Sequence, residues 1–291
     1  MMHEITMILS GIWSGLRLIA PYWAAGLVLG SLISVYLSQK ITGRMLALSS
    51  RGLGLWQIGV AAALGILSPL CMFGTVPVIA ALGKKGLPGH LLVAFMISSI
   101  LLNPNLLLMT AVLGTDLAMT RLALCFIAGA LAGVLAKALF GGKEIFALER
   151  FEAGELNKKK KLLQDLLKAF RITAPYLLLG ITLTALLDRY IPPQWIHRLF
   201  GANLALGVLF ATTLSIPMYA CGGGVIPLIH AWLHAGMGRG DAISFMLAGP
   251  ATKINNLSAV KMVLGRKNFI IYLAYVIAYA ALAGIAVELI L

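Results

Sequence analysis

Residues 221–256 constrain the chain more than any other stretch, because they set helix breakers inside an apolar run. The stretch opens Cys221-Gly222-Gly223-Gly224-Val225-Ile226-Pro227 and closes Gly249-Pro250-Ala251-Thr252-Lys253-Ile254-Asn255-Asn256. A Gly triplet followed by Pro is expected to stop a regular helix, and Pro227 suits the first position of a new one. The same reasoning puts a second interruption at Gly249-Pro250, with a turn between them from His234 to Asp241. In lipid, unwound backbone persists only where protein buries it or where it lines a wet cavity. Interruptions of this kind mark the discontinuous helices of transporters.

The stretch has a counterpart. A shift of 150 residues lays Cys71, Gly74, Pro77, Gly86, Phe95, Met96 and Asn105 on Cys221, Gly224, Pro227, Gly236, Phe245, Met246 and Asn255 without a gap. With an offset of 154, Arg17, Ala20, Pro21, Tyr22 and Gly26 fall on Arg171, Ala174, Pro175, Tyr176 and Gly180. The pattern predicts a doubled unit with its helix interruptions meeting near a pseudo-twofold axis.

Composition fixes the environment. The chain is 60% hydrophobic and 11% charged, with a mean hydropathy of +0.95, far from soluble averages. The expectation is an all-α polytopic membrane protein of about eight spans, at roughly 30 to 35 residues per helix and loop. A first repeat at 1–140 and a second at 169–291 flank a hydrophilic linker at 141–168 containing Lys158-Lys159-Lys160-Lys161. The positive-inside rule makes that linker cytoplasmic. The start, Met1 to Ser10, lacks the pattern of a removable signal peptide. A net charge of +13 is read as basic loops facing anionic lipid rather than nucleic acid. The 117–140 run is expected to be an ordinary span, with Ala128, Gly129, Ala132 and Gly133 allowing close packing.

All ten carboxylates are expected in loops, linker or termini, which leaves no obvious residue for carboxylate-driven coupling. Lys253 is the exceptional charge, lying in the second interruption. Asn103, Asn105, Asn255 and Asn256 supply amides beside the breaks, either to solute or to backbone groups freed by proline. Cys71 and Cys221 each precede a Gly and a helix-starting Pro, so each thiol is placed near a helix N-terminus that favours thiolate, a ligand for soft elements. Met72, Met218 and Met246 add thioether surface, while Gly222, Gly223 and Gly224 open the backbone. Cys125 is read as a packing residue. His230 and His234 are a weak zinc signal, and no metal or other cofactor is expected.

At these residues the chain resembles the ArsP-type permeases. The resemblance is carried by Ser68-Pro69-Leu70-Cys71-Met72-Phe73-Gly74-Thr75-Val76-Pro77, by Ala94 to Ser99 leading to Asn103-Pro104, by Pro217 to Pro227, and by Ala248 to Leu257. It implies an inner-membrane, multi-pass permease with cysteines in its translocation site, in a family whose best-known members export trivalent organoarsenicals. Many relatives have Cys-x-Cys in the second motif, where this chain has Gly223. Two motif thiols match a monomethylated trivalent arsenical better than inorganic arsenite. The alternative is a transporter or channel for a small anion or sulfur compound using helix N-termini and Lys253. An enzyme is not expected, since no nucleophile-base pair or metal motif is present. The expected partners are a small-molecule substrate and the lipid bilayer, with a homo-oligomer left open.

Overall fold

The structure is a computed structural model that describes residues 13, 17, 54–68, 75, 78–79, 82–83, 86–141, 145–146, 171, 182, 200, 204–219 and 222–290. Among them all regular structure is helical. Three stretches, Gly89–Leu113, Thr115–Phe140 and Val263–Ile290, are long and apolar enough to cross a membrane. Of the predicted spans at 12–37 and 172–187 only residues 13, 17 and 182 are among the described residues, and most of the linker lies outside them.

Helix α1, Trp56–Leu67, stops at Ser68, whose backbone is extended (φ −76°, ψ 125°). Pro69 follows and clashes with an α conformation at the residue before it. Helix α2, Gly89–Leu101, is followed by the short α3, Pro104–Thr110, and a 3-10 turn over Ala111–Leu113. Helix α4 is Thr115–Phe140. In the second half α5 is Leu204–Met218, α6 Gly222–His234, α7 Arg239–Thr252 and α8 Ile254–Ile290. Gly265 has φ 72° and ψ 172°, so α8 is two helices meeting at a kink.

Two pairs of positive-φ glycines fall at matched places in the two halves. Gly86 and Gly236 (φ 85° and 99°) are mates under the shift that aligns the cysteine motifs, and Gly114 and Gly265 (φ 122° and 72°) depart from it by a single position. Only glycine takes such angles without a Cβ penalty. One pair closes the turn before α2 and α7, the other starts the long terminal helix of each half.

The core is continuous across the halves, running from Ile58 and Phe95 to Phe245 and Val276. Helices α1, α2 and α4 pack together, as do α5, α7 and α8. The small residues of α4 permit the first of these contacts. A Cβ on Gly133 would lie 2.9 Å from Ala94 Cβ, and one on Gly129 would run into Ser98. Between halves, α7 meets α2 and α4, and α6 meets α3. The linker begins packed down: Ile145 and Phe146 are buried, and Asn268 Nδ2 donates to the Ile145 carbonyl at 2.8 Å.

Three expectations are corrected. The chain does not restart at Pro227, because α6 begins at Gly222 and carries Pro227 inside it. The carbonyl that Pro227 leaves without an amide partner is that of Gly223, a residue with no side chain to crowd the ring. Nor does the chain break at Gly249-Pro250, because α7 continues through Pro250 to Thr252. Finally, two carboxylates read as loop residues lie within helices, Asp116 in the first turn of α4 and Asp241 in the first turn of α7, while Glu288, read as terminal, lies near the end of α8. Asp241 is only 2% exposed. It accepts from Gly238 N at 3.2 Å, while Glu288 accepts from Gly240 N at 2.5 Å. Both complement the positive end of α7.

Candidate functional site

The first interruption is built by side chains suited to it. Leu102 is extended (φ −147°, ψ 137°) after α2, and Asn103 caps α3 by accepting from Leu106 N at 2.9 Å, with Pro104 at the first helical position. Asn103 therefore serves the backbone. Asn105 does something else: its Oδ1 is buried without a hydrogen-bond partner.

Both cysteine motifs reach the interrupted helices. Thr75, from the Cys71 to Pro77 motif, pairs its hydroxyl with Ser99 of α2 at 2.9 Å, and Ser99 pairs with Ser68 at 3.2 Å. On the other side, the Tyr219 ring lies where a Cβ on Gly249 would stand, and it also contacts Phe245 at a ring separation of 6.4 Å. Cys71 and Cys221 themselves lie outside the described residues, as do the side chains of Asn255 and Asn256. Gly222, Gly223 and Gly224 form the first turn of α6.

The second interruption is one residue wide. Lys253 (φ −53°, ψ 130°) separates α7 from α8 and is half-buried. Its amide still bonds to Gly249 O at 3.1 Å, and its carbonyl accepts from Leu257 N at 2.9 Å. The shift that lays Cys71 on Cys221 also lays Asn103 on Lys253, so the two breaks fall at matched positions.

A charge that the sequence did not single out reaches the helices that precede both breaks. Arg121, in the second turn of α4, is fully buried. Its Nη1 donates to Thr110 Oγ1 at 2.6 Å and Met246 Sδ at 3.6 Å; its Nη2 donates to Met246 O at 3.1 Å and Leu101 O at 3.4 Å. These acceptors are all neutral, and Nε has none. The Met246 carbonyl is available because Pro250, four residues on, has no amide to offer it. This explains why α7 passes through its proline intact: an arginine from the other half takes the place of the missing donor. A charged side chain at the centre of a membrane helix costs about 3 kcal/mol. The signal in the sequence was a lone cation inside an apolar run.

A family model described as a predicted permease, of the ArsP type, matches residues 4–289. The chain belongs to that family. Two relatives agree. The UPF0718 protein YcgR of Bacillus subtilis is 25% identical over 279 residues, covering 91% of this chain and 90% of the relative. The UPF0718 protein MJ0584 of Methanocaldococcus jannaschii is 28% identical over 132 residues, covering 45% of this chain and 36% of the relative, so that the match spans about a third of that relative's length. No solved structure matches the chain significantly.

Within this predicted permease, α4 carries two further features beyond Arg121. Cys125, one turn along α4, is fully buried, with its thiol within electrostatic reach of the guanidinium. Tyr275 and Tyr279 of α8 donate to the α4 carbonyls of Ala128 and Leu124 at 2.5 and 2.6 Å. His230 and His234 touch edge to face, 4.5 Å between rings, and no group of three metal-ligand side chains forms among the described residues.

Proposed function

We propose that this membrane protein is a multi-pass, inner-membrane permease built as two repeats, and that it exports a small thiophilic solute between the interruptions at Leu102-Asn103 and Lys253. The observation that carries this reading is the approach of each cysteine motif to an interrupted helix, through Thr75 to Ser99 and through Tyr219 to Gly249. The positive-φ glycine pairs and the matched positions of Asn103 and Lys253 support the repeat. Cys221 is the residue before the first turn of α6, and Cys71 is its mate in the first half. Two exchangeable thiol contacts hold a soft element loosely enough to release it. A monomethylated trivalent arsenical has two such positions.

The test is accumulation of methylarsenite by everted membrane vesicles containing wild type, Cys71→Ser or Cys221→Ser. Each serine variant is expected to transport at least tenfold more slowly at equal protein level. Rates equal to wild type in both variants would remove the thiol role.

A further inference from the structure

We infer that Arg121 is a fixed cationic site that binds a small anion between the two halves of the protein. The inference rests on the path running between the two interruptions, not on the thiol reading. Among the described residues only two buried side-chain polar atoms lack a partner, Asn105 Oδ1 and Arg121 Nε. They belong to the short helix α3 and to the residue hydrogen-bonded to its far end at Thr110. A buried guanidinium whose acceptors are neutral has its hydrogen bonds largely met and, among the described residues, its charge unmet.

The backbone does not require that charge. The offset that relates Gly114 to Gly265 also relates Arg121 to Tyr272. Tyr272 Oη donates to the Ala251 carbonyl at 3.0 Å, as Arg121 donates to the carbonyl of Leu101, the mate of Ala251 in the first half. A neutral hydroxyl therefore does in one half what a cation does in the other. Satisfying the Met246 carbonyl likewise needs a donor, not a charge. What Arg121 adds is an attraction for negative charge in a place with little water to screen it. Its two longest contacts, 3.6 Å to Met246 Sδ and 3.4 Å to Leu101 O, are the ones an oxyanion would replace, beside the free Nε–H.

Thermal unfolding of the purified full chain in uncharged detergent tests this. Wild type, Arg121→Gln and Arg121→Lys are compared in 10 mM sodium thiosulfate or sodium sulfate, against sodium gluconate at equal ionic strength. Thiosulfate or sulfate is expected to raise the wild-type midpoint by at least 3 °C over gluconate. Arg121→Gln, which keeps an amide donor, is expected to lose that shift, and Arg121→Lys to keep part of it. No shift in wild type, or an equal one in Arg121→Gln, overturns the inference.

Labelling of wild type with phenylglyoxal gives a second readout that needs no variant to fold. The stabilising anion is expected to slow adduct formation at Arg121 at least fivefold and leave the other arginines unchanged. Unslowed labelling of Arg121, or no labelling of it in gluconate, overturns the inference, because a site that admits an oxyanion from solution is open to a small reagent. Anion binding with normal methylarsenite transport in both serine variants sinks the thiol reading alone; thiol-dependent transport without anion binding sinks this one alone.

Discussion

Asn103 shows how one side chain can stabilise a break between two helices. Its carboxamide oxygen accepts from Leu106 N, leaving Asn105 as the amide with an unmet acceptor. Asn103→Ala is expected to destabilise the protein by about 1 kcal/mol, the usual worth of a helix cap, and Asn103→Asp much less, with unfolding midpoints in detergent as the measure. An equal loss in both variants would mean that the cap contributes nothing. The sequence offered both asparagines as solute ligands or backbone partners; their division of labour depends on which oxygen faces the first turn of α3, which spacing cannot show. Arg121 was harder to read. Averaged over the length of a span, its charge is diluted by leucine and alanine, and its burial depends on the carbonyl of Met246, far along the chain.

At the scale of elements, proline and glycine punctuation was legible where the consequence is local. The end of α1 at Ser68, the stop before Asn103-Pro104 and the turn between α6 and α7 follow from chain chemistry alone. Pro250 was misplaced because the Met246 carbonyl it strands takes a donor from α4, and Pro227 because it lies in the second turn of α6, where the residue four back is Gly223. Pro250→Ala restores the missing amide, and an interior proline costs a helix about 3 kcal/mol. The variant is expected to unfold at higher temperature than wild type and to show a slowly exchanging amide at position 250. A lower midpoint would show that the proline ring packs in a way the alanine cannot replace.

Across the whole molecule, the halves are joined by polar contacts as well as by the shared core. Tyr275 and Tyr279 stack 5.9 Å apart on α8 and each donates to α4. Each Phe substitution is expected to cost about 1 kcal/mol. Because the rings touch, the double substitution should differ from the sum by more than about 0.5 kcal/mol; strict additivity in thermal unfolding would argue that the two bonds act independently. The matched motifs were readable from the chain's own residues, and the structure gives positive φ to glycines at or within one position of matched places. The difference between the halves, an arginine opposite a tyrosine, was not, because the eye that looks for a repeat passes over what fails to recur.

The reach of Arg121 across the chain also bears on how the protein is made. Its acceptors on Met246 are synthesised 125 residues after it, which at ribosomal speed is a delay of roughly 6 to 25 seconds. For that time the nascent first half offers the guanidinium only Thr110 and Leu101 as acceptors. A polypeptide cut off at the linker lacks the Met246 sulfur and carbonyl that complete the shell around that charge.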